Sequence, residues 1–346
     1  MLTMRSPKQL LKGFLVLTAL SLFYNEFFIY YVTLYSCSYP GKAGEKEETL
    51  NALILADTHL LGSRNGHWFD KLRREWQMHR TFQTAMSYFR PEAVFFLGDI
   101  FDEGKWCPPE EFKKYRQRFD DLFYTGADTK VYVVAGNHDI GFHYSITPYL
   151  DKRFKDAFKT RSVQQIKLKG VDFVLINSMA FENDGCFLCK DAEKLLEKIS
   201  SNLSCTEDEC PGPVLMSHFP LYRESDELCD ELDSAPGIDK MEKFRERWEC
   251  ISNSSSNLIK QKLKPRIAFT GHTHHGCRTD HDSFIEWTVS SFSWRNKQNP
   301  AFLLARFSAG SKSVSKCMMP EETTVYYMYI GFATILLLYC IKLRYN

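Results

Sequence analysis

Along the chain short β-branched or aromatic runs stop abruptly at aspartate, asparagine or histidine, and no other feature restricts the fold as much. NALILAD (Asn51–Asp57), AVFFLGD (Ala93–Asp99), VYVVAGN (Val131–Asn137), PVLMSH (Pro213–His218) and RIAFTGH (Arg266–His272) all follow this plan. Apolar runs of this length fit strands buried on both faces. Helical patterns lie between them, roughly Met78–Phe89, Pro109–Phe123, Lys190–Ser201 and Asn257–Lys264. Pro109, Glu110 and Glu111 read as a helix first turn, by φ preference and dipole. VDFVLIN (Val171–Asn177), FIEWTV (Phe284–Val289) and AFLLARF (Ala301–Phe307) supply further strands. Such alternation predicts an α/β sandwich, sheet inside and helices outside, with functional groups gathered beyond the carboxyl ends of the strands. The acidic, loop-rich stretch of about residues 221–256 reads as an insertion in a core of about 51–308.

The two ends differ from this middle. Gly13–Tyr35 is apolar and aromatic apart from Asn25 and Glu26, and Val325–Ile341 carries no charge. A helix needs ~20 mostly apolar residues to cross a bilayer, so both read as spans. A cleaved signal peptide would have an apolar core of only ~7–15 residues. A lipid-anchor attachment signal would not end in the charged KLRYN. Arg5, Lys8 and Lys12 precede the first span, and Lys342 and Arg344 follow the second, whereas Lys42 and Lys46 are diluted by Glu45, Glu47 and Glu48. The positive-inside bias then puts residues 1–12 and 342–346 in the cytosol and 38–324 across the membrane.

A lumenal middle allows disulfides among Cys186, Cys189, Cys205, Cys210, Cys229, Cys250 and Cys277, with connectivity open. Cys186-x-x-Cys189 also invites a zinc reading, but no second matching pair in the sequence completes four ligands. The sequons at Asn202 and Asn253 agree with a lumenal setting. With 44 Lys and Arg against 43 Asp and Glu, charge gives no case for nucleic acid as a partner.

The strand ends release metal-type donors: Asp57-x-His59, Gly98-Asp99-x-x-Asp102, Gly136-Asn137-His138-Asp139, Ser217-His218 and Gly271-His272-x-His274. Carboxylate, amide carbonyl and imidazole together suit zinc, manganese or iron. Glycine ahead of a donor allows a sharp turn, and donors two apart lie on one side of an extended segment, where they can share an ion. Singly each motif is weak. Together, in this order and all at strand ends, they are specific.

This set resembles the calcineurin-like metallophosphoesterase superfamily over about Ala52–Phe307. The resemblance implies a four-layer αββα sandwich, here flanked by two transmembrane helices at 13–35 and 325–341. It also implies two divalent ions. Asp57, His59 and His274 would bind the first, Asp99 would bridge, and Asn137, His218 and His272 would complete the second. His138 matches the family's catalytic histidine, and Asp102 the carboxylate that orients it. Two ions ~3.5–4 Å apart would stabilise both the attacking and the leaving oxygen of a phosphoryl transfer.

Glu103 stands where protein Ser/Thr phosphatases of the superfamily have arginine, which argues against phosphoprotein substrates. The two apolar ends, ADTHLLG (Ala56–Gly62) and WFDKLRREWQMHR (Trp68–Arg80) are similar to the membrane-bound branch that remodels glycosylphosphatidylinositol (GPI) anchors. That similarity implies removal of the ethanolamine-phosphate side chain from the second mannose, with manganese as the metal. It further implies GPI-anchored proteins as substrates, cargo receptors as possible contacts, and a place at endoplasmic reticulum exit sites, the intermediate compartment or the Golgi. A lumenal phosphomonoesterase or pyrophosphatase on another lipid-linked phosphate would retain the same donors, whereas a silent metal-binding receptor would have no need of His138 and Asp102. Trp68, Arg73, Arg74 and Trp76 are candidates for a substrate groove, but an amphipathic helix with packed tryptophans and solvated arginines accounts for them better.

Overall fold

The computed structural model describes residues 7–41, 48–203 and 211–345. Arg5, Lys42, Lys46, Cys205 and Cys210 lie outside them. Among these residues eleven strands form two sheets. In chain order they are β1 (Leu50–Leu55), β2 (Ala93–Phe96), β3 (Lys130–Val133), β4 (Val163–Leu168), β5 (Val171–Ile176), β6 (Val214–Met216), β7 (Ile267–Thr270), β8 (Cys277–Asp280), β9 (Ile285–Thr288), β10 (Ala301–Phe307) and β11 (Lys312–Met318). The first sheet has the order β11-β10-β1-β2-β3, the second β4-β5-β6-β7-β9-β8.

The sequence period of two decides what each strand faces. Ala52 and Ile54 of β1, with Phe95 of β2, meet Phe173, Leu175, Val214, Met216 and Phe269 of the other sheet in one apolar layer. Phe95 and Phe173 stack there at 5.1 Å. The alternate residues Leu53, Leu55, Val94 and Phe96, and Val174, Ile176 and Leu215, belong to the core beneath the helices. Two-sided burial of this kind is the layering of an αββα sandwich.

The helices are α1 (Pro7–Phe23), α2 (Ile29–Leu34), α3 (Trp68–Phe89), α4 (Pro109–Leu122), α5 (Asn137–Ile140), α6 (Pro148–Phe158), α7 (Phe187–Leu203), α8 (Asn253–Leu263) and α9 (Glu322–Tyr345). Pro109 does open α4. The insertion holds only a short 3-10 turn at Asp239–Met241 and ends where α8 begins, a few residues before 256.

Leu11–Leu34 and Glu322–Lys342 are long and apolar enough to cross a membrane, which suggests a membrane protein. Between α1 and α2 the backbone widens to a π-turn at Tyr24–Phe28, where the sequence places its two polar residues. Asn25 donates to the Ser21 carbonyl at 3.0 Å, and Glu26 accepts from the Tyr329 hydroxyl of α9. Trp76 of α3 donates its indole N–H to the Glu26 carbonyl at 3.1 Å. Trp76 is therefore packed, as an amphipathic helix requires, but Trp68 is 66% exposed and the arginines are not solvated. Arg73 lies between the Trp294 and Tyr326 rings and pairs with Glu322 at 3.2 Å, and Arg74 pairs with Asp70. Burial against aromatic faces replaces water there.

Disulfides join Cys37 to Cys317, Cys186 to Cys189 and Cys229 to Cys277, while Cys250 is a free, buried thiol. Asn202 and Asn253 are both exposed.

Candidate metal centre

Backbone strain marks the site first. Asp57, His59, Asp99, His272 and His274 all have left-handed φ, between 42° and 74°. Each such non-glycine conformation costs of order 1–3 kcal/mol and clusters at functional sites. The donors themselves thus make the turns that the sequence assigned to the preceding glycines, of which only Gly98 has positive φ. Gly136 and Gly271 serve instead by lacking a side chain. A Cβ on Gly136 would fall on Asp99, and one on Gly271 would meet Ala56 and Asp57.

These turns bring the donors into two adjoining groups. In the first, His59 Nε2 lies 3.1 Å from His274 Nε2, 3.5 Å from Asp99 Oδ2 and 3.9 Å from Asp57 Oδ1. In the second, His218 Nε2 lies 3.4 Å from Asp99 Oδ1 and 3.1 Å from Asn137 Oδ1, with His272 beside it. The Asp99 carboxylate gives one oxygen to each group. His272 and His274, two apart in sequence, fall in different groups because both take left-handed turns.

The donor set fits divalent ions. Two donors bound to one ion at ~2.0–2.2 Å stand roughly 3–3.6 Å apart, close to the spacings found. Asp57 Oδ1 and His272 Nδ1 are buried without a hydrogen-bond partner, a costly condition that a cation relieves. Burial keeps His272 neutral, pushing it down to about 3, and holds His274 well below its ordinary value. Neutral imidazole is the ligating form. Burial and the Asp99 charge drive Asp57 up to about 7, a penalty that nearby cations would reverse.

His138 stands beside this centre with its ring 4.8 Å from that of His59. Its Nδ1 is 2.9 Å from the backbone carbonyl of Asp102 and 3.9 Å from the carboxylate. The carbonyl, not the carboxylate, orients the ring. Nδ1 donates to it in either charge state, so Nε2 is the atom that gains and loses a proton. Burial lowers the His138 pKa. The Asp102 carboxylate faces His59 Nδ1 at 3.3 Å and Arg295 at 3.2 Å. Burial opposes its ionisation, but the adjacent His59 ring and the Arg295 charge hold it below the usual carboxylate range.

Glu103 is buried and accepts from the backbone N–H groups of Arg64 (3.0 Å) and Asn65 (2.7 Å), fixing the loop into α3. Beside the second group stands an aromatic shelf absent from any motif. Trp248 accepts from His272 Nε2 at 2.5 Å through its carbonyl, and its ring lies 4.9 Å from Phe142 and 5.8 Å from Tyr144. Tyr144 is 70% and Trp248 41% exposed. The Lys105 ammonium sits over Phe142 and Trp106. Nothing in the sequence marked Arg295, Lys105 or Trp248, since all three sit in loops that only the fold brings to the centre.

Two stacked sheets with Asp, Asn and His donors at their strand ends, five of them strained, define a metal-dependent phosphoesterase. The chain belongs to the calcineurin-like phosphoesterase family, whose sequence model matches residues 50–276. It is 41% identical to Metallophosphoesterase 1 of Rattus norvegicus over 96% of this chain and 89% of the relative. It is 42% identical to the Metallophosphoesterase 1 homolog of Caenorhabditis elegans over 95% and 91%. Among solved structures, purple acid phosphatase PPD1 from yellow lupin superposes with a TM-score of 0.48 at 12% identity, covering 81% of this chain and 55% of that one.

Proposed function

We propose that this protein is a binuclear phosphodiesterase that removes the ethanolamine-phosphate side chain from the second mannose of GPI anchors. The observation that carries the reading is the shelf of Tyr144 and Trp248 against the second donor group. Exposed aromatic faces suit the apolar face of a sugar ring. Two apolar helices on the same chain suit a lipid-linked substrate.

In this reading Asp57, His59, Asp99 and His274 hold one divalent ion, and Asp99, Asn137, His218 and His272 the other. When bound, the ions supply Lewis-acid stabilisation of the phosphoryl oxygens and an activated water. Manganese is the expected metal, and the donor set also accepts zinc or iron. Lys105 offers its charge to the phosphate. His138 Nε2 gives its proton to the departing mannose oxygen as the P–O bond breaks, which matters because a sugar alkoxide is a poor leaving group. The setting is the early secretory pathway, from endoplasmic reticulum exit sites to the Golgi, with the catalytic residues on the lumenal side and GPI-anchored proteins as substrates.

The test compares full-length purified protein on a defined ethanolamine-phosphate GPI glycan and on simple monoesters. Release of ethanolamine phosphate from the glycan is expected, and turnover of monoesters alone would overturn the proposal. Trp248→Ala should raise KM for the glycan by roughly 2- to 10-fold, the worth of one aromatic contact, and leave a small aryl diester unaffected.

A further inference from the structure

The fold supplies the two ligands that the Cys186-x-x-Cys189 motif lacks in sequence. His143, Asp184, Cys186 and Cys189 each offer one donor atom, all within 4.8 Å of one another, in a place separate from the centre described above. His143 Nε2 and Asp184 Oδ2 are 2.7 Å apart, and Asp184 Oδ1 accepts from the Cys186 N–H at 3.0 Å. The Cys189 N–H points at Cys186 Sγ from 2.9 Å, at the start of α7. Amide donors and a helix N-terminus both favour sulfur as thiolate. Two sulfurs from a C-x-x-C turn, one imidazole and one carboxylate are a tetrahedral zinc set.

We infer that these four residues form a zinc site which the Cys186–Cys189 disulfide closes. Reduction by a dithiol transfers two electrons to the disulfide, yields two thiols and leaves the dithiol as its own disulfide. Zn2+ then binds both sulfurs and releases their two protons. The consequence reaches the catalytic centre through His143, which lies between the shelf residues Phe142 and Tyr144 and four residues beyond the α5 residue Asp139. His143 spans from that loop to the residues just before α7, so a bound ion would pin the shelf at this point, where the oxidised pair leaves the His143 ring with one hydrogen bond to Asp184 and one to the Met179 carbonyl.

Cobalt distinguishes this site from the catalytic one, whose donors include no sulfur. Full-length protein is prepared oxidised and dithiol-reduced, alkylation mapping confirms the state of Cys186 and Cys189, and each form is titrated with Co2+. The reduced form is expected to take one more equivalent and to develop a cobalt–thiolate charge-transfer band, displaced by Zn2+. The band is lost in His143→Ala and in Cys186→Ser. Two free thiols without the band, a band that survives His143→Ala, or a pair that resists reduction in the folded protein would each overturn the inference.

Discussion

Asp102 gives the sharpest division between two ways of reading the centre. If its carboxylate oriented His138, Asp102→Asn would damage proton transfer. The structure instead places that carboxylate 3.3 Å from His59 Nδ1, behind a metal donor, while the backbone carbonyl orients His138. The substitution leaves the carbonyl in place and removes the charge that fixes the His59 ring. Loss of a partner behind a ligating histidine typically weakens metal binding ~10- to 100-fold, about 1.4–2.7 kcal/mol. Hydrolysis of an aryl phosphodiester by full-length protein, followed against free Mn2+, separates the two outcomes. Asp102→Asn should shift the metal dependence to higher concentration and keep kcat at saturating metal close to the parent. His138→Ala should keep the metal dependence and lose kcat by ~10²–10⁴-fold. A fall in kcat for Asp102→Asn at unchanged metal affinity would refute the assignment.

Three further outcomes follow from the packing. Buried Glu286 accepts from His281 (2.6 Å), Thr270 (2.7 Å) and the Leu221 N–H (3.1 Å). Burial opposes its charge, but the His281 hydrogen bond and the Arg223 charge hold its pKa below the ordinary glutamate value. Glu286→Gln should therefore cost about 1.5–3 kcal/mol near neutral pH, and the Tm gap to the parent should close as pH falls through the depressed pKa, because protonation removes the same advantage. Replacing Cys37 and Cys317 with serine opens a link between residues 280 apart and should lower stability by about 2–5 kcal/mol in chemical denaturation. Gly136→Ala would force a Cβ into Asp99 and should abolish metal binding by calorimetry while the far-ultraviolet dichroism persists.

The central strands were legible because burial on both faces leaves a continuous apolar run. β4, β8 and β11 were not, because their sequences, as in VQQIKL or KSVSKCM, mix polar residues with apolar ones. β3 was legible from its apolar run but is an edge strand with Val131 exposed, not a strand buried on both faces. The donors were legible as a set because each motif sits directly after such a run. Their left-handed conformations were not, because nothing in an Asp or His announces φ near 50°. Cys229 was readable as a disulfide former, but Cys250 lies closer in sequence than its true partner Cys277. The roles of Arg73 and Arg295 depend on aromatic and carboxylate neighbours more than 190 residues away along the chain.

Trp294 and Arg295 are adjacent, yet they serve different bodies. The Trp294 ring packs with Ile29, Tyr30 and Val325 of the apolar helices, and the Arg295 guanidinium grips Asp102. One peptide unit thus separates the anchor from the catalytic pocket. With a bilayer around those helices, the pocket would be carried at a set height above the lipid and could not swing outward on a tether. Reach then becomes a selection rule. Phosphate esters attached to a membrane at that height would be served, and those held much higher or lower would be missed, whatever their chemistry.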